Sequence, residues 1–277
     1  MTEPYPVVRL RPKADARAIR HGFPWVYGDE LVTDRRTQAL APGTIALLED
    51  DARRPMGIVT VNPRSRIIAR MLDRSPEAVI DRDWIAARIA RALVLRERLF
   101  DRPFYRLIHA EADGLPGVII DRFGEAAVIQ PNAAWAEMMI GDLAAALSAV
   151  TGVSTIVKNA TGRSRTLEGL DEETTMLQGR LDGPLEVPMN GAIYLADLLG
   201  GQKTGLFYDQ RPNHAFAAAL AKGARVLDVF AHVGGFALAA LAAGADSALA
   251  VDGSAAALAL AERGAAAMGV SARFATR

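Results

Sequence analysis

The 277 residues carry 32 Lys+Arg, 32 Asp+Glu and no cysteine, and 51% of them are hydrophobic. That length suits two or three domains of roughly 100–200 residues each, and no apolar run reaches the ~18 residues of a membrane-crossing helix or makes a signal h-region, so a cytoplasmic protein with no membrane partner is expected. Absent cysteine excludes disulfide frameworks, thiolate zinc sites and a cysteine nucleophile within these residues.

The neutral total hides an asymmetry. Residues 1–110 hold 20 Lys+Arg against 14 Asp+Glu, and residues 111–277 hold 12 against 18. Arginine forks match phosphate oxygens, which makes the basic front half a candidate nucleic-acid face; a solvated arginine-rich surface is the competing reading. Val7 to Arg11 reads as a strand presenting Arg9 and Arg11, followed by a short helix through Arg17, Ile19 and Arg20. The turn-rich stretch His21 to Gly28 places Phe23, Trp25 and Tyr27 either in packing, which is favoured for Trp25, or in stacking on unpaired bases. Short strands at Thr44 to Leu48, Met56 to Val61 and Ile67 to Met71 predict a small β-barrel or sandwich with Arg64, Arg66 and Arg70 at its far end. A helix over Asp83 to Phe100, capped by Asp83, carries Ile85, Ile89, Leu93 and Leu99 at helical spacing.

In the stretch His109 to Gly117, His109, Glu111 and Asp113 alternate. An H-x-E signature in zinc deaminases needs a following P-C-x-x-C, so no metal is expected and these groups are assigned to turn amides. A hairpin (Val118 to Asp121, Ala126 to Gln130), a helix through Trp135 to Val150 and a strand Ser154 to Lys158 follow, then a loop whose Arg163 and Arg165 are secondary RNA candidates. Gly200 to Arg211 is not a Walker A loop, because Gln202 stands before Lys203 where glycine is required. Lys203, beside Thr204 and Gly205, suits capture of a carboxylate, and Asp209 with Arg211 offers a second charged pair; a strand-to-helix corner capped by Asp209 is the alternative.

Val226 to Phe230, the turn at Gly234 and Gly235, an alanine-rich helix and Ala248 to Val251 read as a βαβ unit ending in Asp252. Ligands of open α/β sheets sit beyond the carboxyl ends of the strands. Phe236 occupies the place of the second glycine of G-x-G-x-x-G, and Asp228 repels a diphosphate but attracts a cation. Asp252 can accept both ribose hydroxyls. These features favour S-adenosylmethionine over a dinucleotide, with a plain crossover as the alternative. His232 receives no role.

Arg20-His-Gly-Phe-Pro-Trp-Val-Tyr, Pro42-Gly43 and Gly57 to Arg70 resemble the PUA domain that opens a family of bacterial ribosomal-RNA methyltransferases. His109 to Gly117 is similar to the same family's Glu/His-Glu-Ala-Asp-Gly-Leu-Pro-Gly stretch. Lys203 to Arg211 resembles its G-x-K-T-G-x-x-x-D-Q-R motif, and Asp228, Phe230, Gly234 and Gly235 its D-x-F-x-x-x-G-G motif. The resemblance implies a multi-domain α/β protein: a PUA-like β-barrel binding RNA (1–74), a middle α+β domain (75–190) and the first part of a Rossmann-like methyltransferase domain (191–277).

Joined to the strand-end acid Asp252, it further implies an S-adenosylmethionine site of Lys203, Thr204, Gly205, Phe207, Asp209, Arg211, Asp228, Phe230, Gly234, Gly235 and Asp252. Ribosomal RNA is the implied partner, with Arg9, Arg11, Arg64, Arg66, Arg163 and Arg165, read from charge and position, as candidate contacts and cytosine C5 of large-subunit rRNA as the family's best-known target. Catalytic residues, among them a Pro-Pro loop and a cysteine, are expected beyond Arg277. The stretch alone is therefore expected to be inactive and, with an unpaired sheet edge, to self-associate as a homodimer or to lose order near its C-terminus. Two alternatives stand beside this reading: a non-catalytic RNA-binding or ribosome-assembly factor of the same fold, and a nucleotide-dependent oxidoreductase, which Asp228 and Phe236 disfavour.

Overall fold

The computed structural model describes residues 5–201 and 205–277, so the expected site residues Lys203 and Thr204 lie outside the described residues. The chain divides into two compact units, one of residues up to 101 with 107–120 and 125–179, the other of 102–106, 121–124 and 180–277.

In the first unit, β1 (Val7–Arg9), β2 (Trp25–Tyr27), β3 (Thr44–Glu49), β4 (Pro55–Val61) and β5 (Ile67–Asp73) form one sheet in the order β1-β3-β4-β5-β2. β1 runs parallel to β3 and the other pairs are antiparallel. Helices α1 (Ala16–Arg20) and α2 (Arg35–Gln38) start at Asp15 and Asp34, whose carboxylates accept the Ala18 and Thr37 amides. Val8, Leu10, Ile19, Leu48, Val59 and Ile68 fill the core beneath the sheet. The long helix α3 (Arg82–Leu99) is capped by Asp81 rather than the expected Asp83, because Asp81 is the residue with extended backbone whose carboxylate reaches the Trp84 amide at 2.9 Å.

β6 (Phe104–His109), β7 (Val118–Phe123), β8 (Ala126–Pro131), β9 (Thr155–Ala160) and β10 (Glu173–Gln178) make a second sheet, ordered β10-β9-β8-β7-β6. β8 and β9 are parallel, so the chain between them must cross over. It does so as two helices, α4 (Ala134–Met138) and α5 (Ile140–Thr151), where one was expected. The break at Met139 (φ −101°, ψ 20°) lets Trp135 on the first piece and Leu143 and Leu147 on the second all reach full burial. The loop expected after β9 contains a further helix, α6 (Arg163–Glu168).

In the second unit, β11 (Leu185–Met189) and β12 (Ala192–Ala196) form a hairpin whose turn residues Asn190 and Gly191 both have positive φ, the I′ geometry that matches strand twist. After α7 (Arg211–Ala219) come β13 (Arg225–Val229), α8 (Gly235–Ala242), β14 (Ser247–Val251), α9 (Ala255–Ala267) and β15 (Phe274–Thr276). The three strands are parallel in the order β13-β14-β15, as the βαβ pattern predicts. Ala237, Ala239 and Ala250 are fully buried, and their small side chains bring α8 close against the sheet. The edge strand β13 leaves Leu227 and Val229 exposed at 63% and 51%.

Candidate functional site

A cleft of about 480 Å³ lies in the second unit, where the loops after β13 and β14 meet the segment that follows β12. Asp252, just past β14, anchors it. One carboxylate oxygen accepts the His232 amide at 2.8 Å and the other accepts the Ser254 amide at 2.8 Å. The His232 N–H, then the Ser254 N–H, hold its pKa below the usual carboxylate range. A carboxylate offers about four lone-pair sites, so two remain for a ligand.

Phe230 and His232 flank the turn with φ of +63° and +52°. Non-glycine residues held there cost of order 1–3 kcal/mol each, a strain that concentrates at ligand sites. Phe230 is 88% exposed, an apolar ring presented to the cleft. The His232 ring meets Phe207 edge-on at 5.0 Å, and burial lowers its pKa, which favours the neutral imidazole. Across from them, Asp197 accepts the Leu199 and Gly200 amides. The chain then folds back so tightly that a Cβ on Gly201 would lie 2.2 Å from the Asp197 carbonyl oxygen. The site thus joins a hydrogen-bonded carboxylate with spare acceptor capacity to aromatic rings and the apolar flank of α9 at Leu260.

Of the described site residues expected from sequence, Gly205, Phe207, Phe230 and Asp252 line this cleft. Asp228 does not: it is buried, and its carboxylate accepts the Ala237 amide at 3.0 Å, tying β13 to the first turn of α8. Burial raises its pKa. Gly234 has φ +78°, and Gly235 packs so closely on His214 that a Cβ would lie 2.5 Å from Nε2, so both glycines shape the helix start. Arg211 donates to the Phe104 carbonyl and its own carbonyl accepts from Asn190, while Asp209 is exposed and makes no cap to α7. Asp197, His232, Ser254 and Leu260 were missed. Only His232 left a trace in the sequence, by standing between Phe230 and the glycine pair.

Residues 8–74 match the family described as a PUA-like domain, and residues 144–268, which include every described cleft residue, match the family described as an S-adenosylmethionine-dependent methyltransferase. The chain joins a PUA-like domain to an S-adenosylmethionine-dependent methyltransferase domain. The chain is 34% identical over 258 residues to "Ribosomal RNA large subunit methyltransferase I" of Alteromonas mediterranea, covering 92% of this chain and 64% of that relative. It is 35% identical over 271 residues to the "Ribosomal RNA large subunit methyltransferase" of Deinococcus radiodurans, covering 93% and 65%. The chain therefore spans a little under two thirds of the length of these relatives. A solved structure from Streptococcus mutans superposes with a TM-score of 0.80 at 18% identity, covering 98% of this chain and 70% of that one, which shows the shared fold.

The expected RNA-facing arginines divide sharply. Arg165 is corrected outright: it is 2% exposed and donates to the Asp171 and Pro131 carbonyls and to Glu137, so it ties its helix to β8 and α4 and cannot meet a ligand. Arg9 is paired with Glu49 at 3.1 Å, and Arg11 donates to the Leu31 carbonyl and the Thr33 hydroxyl. Arg64, Arg66 and Arg163 are exposed. In the His109 to Gly117 stretch, Asp113 accepts both Arg96 nitrogens and the His109 amide, and Glu111 accepts the Trp25 indole and Arg70. Among the described residues no group of three or more His, Cys, Asp or Glu is placed to hold a metal ion.

One methyltransferase-domain residue should report on acid stability. His214 is 5% exposed, packs against the Phe236 ring at 4.5 Å, and its Nδ1 has no hydrogen-bond partner among the described residues. Burial pushes its pKa down to about 4. Between the ordinary value near 6.5 and about 4 the unfolded chain takes the proton first, so stability present above pH 6.5 is lost as pH falls through that window. Urea titrations at pH 7 and pH 5 should differ by about 2 kcal/mol on this account, and His214→Phe should flatten the difference. An unchanged pH dependence in that variant would show the imidazole to be uninvolved.

Proposed function

We propose that this chain is part of an S-adenosylmethionine-dependent methyltransferase that modifies large-subunit ribosomal RNA, with the cofactor in the cleft around Asp252. The observation that carries the reading is the Asp252 carboxylate, fixed by two backbone amides with acceptor capacity to spare, beside exposed Phe230 at the carboxyl end of a parallel strand. An adenosine ligand fits this acceptor and ring. Its ribose hydroxyls would donate to Asp252, and its base would lie against Phe230 and the apolar flank at Leu260. Lys203, Thr204 and Gly205, with Phe207, would receive the methionine end, and Asp209, Arg211, Asp228, Gly234 and Gly235 would hold the walls. The bound cofactor supplies an electrophilic sulfonium methyl.

The substrate class is supported by the names of the relatives and by the PUA-like domain, with exposed Arg64, Arg66 and Arg163 as contacts. Cytosine C5 is the target the family resemblance carries. Attack there needs a thiolate added at C6, and these 277 residues contain no cysteine, so by themselves they bind cofactor without completing transfer. The domain division at 1–74, 75–190 and 191–277 and self-association through the exposed β13 edge belong to the same reading, as does a cytoplasmic setting with no membrane partner. Among the described residues no helix is long and apolar enough to cross a membrane.

Isothermal calorimetry with S-adenosylmethionine and, separately, NAD decides between cofactors. Heat from the first and none from the second is expected. The reverse pattern would revive the oxidoreductase reading and remove the methyltransferase one.

A further inference from the structure

The first unit contains a second cleft, of about 360 Å³, between the Gly22 to Pro24 turn, the end of β5, helix α3 and the His109 to Gly117 stretch. Three guanidinium groups converge on it: Arg74, Arg88 and Arg91. Two glycines make their approach possible. A Cβ on Gly22 would lie 2.5 Å from an Arg74 nitrogen, and one on Gly114 would lie 2.9 Å from an Arg91 nitrogen, so these side chains lie directly over bare backbone.

Both carboxylates at the cleft already accept from neighbouring donors. Asp73 accepts Arg88 at 2.5 Å, the Trp84 indole at 2.8 Å and the Ser75 amide at 2.9 Å. Glu111 accepts the Trp25 indole and Arg70. Arg88 is further fixed 4.1 Å over the Trp84 ring, yet its Nε is buried with no hydrogen-bond partner among the described residues. Arg74 and Arg91 are exposed and add positive charge that these acids do not balance. Burial lowers the pKa of Arg88 despite the opposing Asp73 carboxylate, and the neighbouring Arg91 charge adds a smaller push in the same direction.

On the rim stands Phe23, 41% exposed and braced edge-on by Trp25 at 6.1 Å and by the tilted Tyr27 ring at 6.4 Å. A braced, half-open ring beside an unbalanced arginine cluster matches the two parts of an unpaired nucleotide, a phosphate and a base with an open π-face. A duplex has no such open face to offer.

We propose that this cleft binds one phosphate of an unpaired ribonucleotide through Arg74 and Arg91, with Arg88 as the fixed back wall and the base stacked on Phe23. It deepens the RNA reading given above and rests on that reading for the source of the nucleotide. The chemistry is shared by a free nucleoside monophosphate, which the test separates. The His109 to Gly117 stretch thereby gains a role in binding, since Glu111 and Gly114 build one wall of a phosphate site.

The test is fluorescence anisotropy of a short labelled single-stranded RNA on the whole chain, as a function of salt, alongside thermal shifts with AMP. The variants are Arg74→Ala/Arg91→Ala, Arg74→Lys/Arg91→Lys and Phe23→Leu. All three positions are exposed, so folding should survive, and an unchanged Tm without ligand checks this. The double alanine variant should bind RNA about tenfold more weakly, and the steepness of log K against log salt should fall by about 0.7 for each phosphate no longer neutralised. The double lysine variant should keep the salt slope and lose part of the affinity, because an ammonium lacks the bidentate fork. Phe23→Leu should weaken binding with no change in slope. RNA that binds the wild type and all three variants alike would overturn the cleft while leaving the RNA reading intact. An AMP-induced rise in Tm that needs Arg74 and Arg91, with no RNA binding, would keep the cleft and defeat the RNA reading. Absence of both responses would defeat the two together.

Discussion

Arg70→Ala should lower stability by about 3–5 kcal/mol, the cost of stripping one partner from a buried ion pair. The Arg70 side chain is 14% exposed and bridges two acids, Glu111 at 3.1 Å and Glu168 at 3.0 Å, the latter 4% exposed. Glu168 also accepts the Asn62 amide group and the Ser65 hydroxyl, and Glu111 also accepts the Trp25 indole. One guanidinium therefore holds β5, α6 and the His109 to Gly117 stretch to a common centre. Removing it leaves two carboxylates in poor solvent with only neutral donors. Urea unfolding followed by tryptophan fluorescence measures this cleanly, since Trp25, Trp84 and Trp135 all belong to the first unit. Arg70→Met combined with Glu168→Gln should recover part of the loss, because it removes charge from both sides of the pair. A loss under about 1 kcal/mol for Arg70→Ala would mean that the network is solvated in solution and holds nothing.

Asp252→Ala should weaken S-adenosylmethionine binding by roughly 30- to 150-fold, about 2–3 kcal/mol, the scale of hydrogen bonds from neutral donors to a charged acceptor. The substitution removes both ligand-facing acceptors and the anchor of the His232 and Ser254 amides. Asp252→Asn should fall between, since its amide can keep one of the two backbone donors but not both. The sign of the pH effect follows from the lowered carboxylate pKa: the contribution is present above the ordinary value near 4 and is lost only as pH falls through the depressed one. Calorimetry of the wild type from about pH 5 to 8 should therefore show no loss of affinity traceable to this group. Wild-type affinity in the alanine variant would place the cofactor elsewhere.

Local pattern carried much of the fold. The short strand-length runs Thr44 to Leu48 and Met56 to Val61, the helical spacing of Ile85 and Ile89, and the βαβ rhythm of Val226 to Asp252 all reappear as β3, β4, α3 and the parallel β13 and β14. The hairpin at Asn190-Gly191 was equally legible from its dipeptide and was passed over. Helix α6 was not legible, because Arg163 to Glu168 has no apolar periodicity. It forms where Arg165 and Glu168 find buried partners far away in sequence.

The sequence by itself determined the element types, the order of its segments and the acid at the end of β14, because period, turn chemistry and strand length act within a few residues. Tertiary structure alone decided which charges are available. Arg165 and Arg70 look like surface cations in the sequence, yet the first is buried and the second largely enclosed in ion pairs, whereas Arg74 and Arg91, which no motif singled out, flank an open cleft. Asp228 and Asp252 look alike at the ends of successive strands, yet one closes a helix and the other keeps free lone pairs. Desolvation and pairing depend on which groups the fold brings together across long separations, and that information is absent from any short window of the chain.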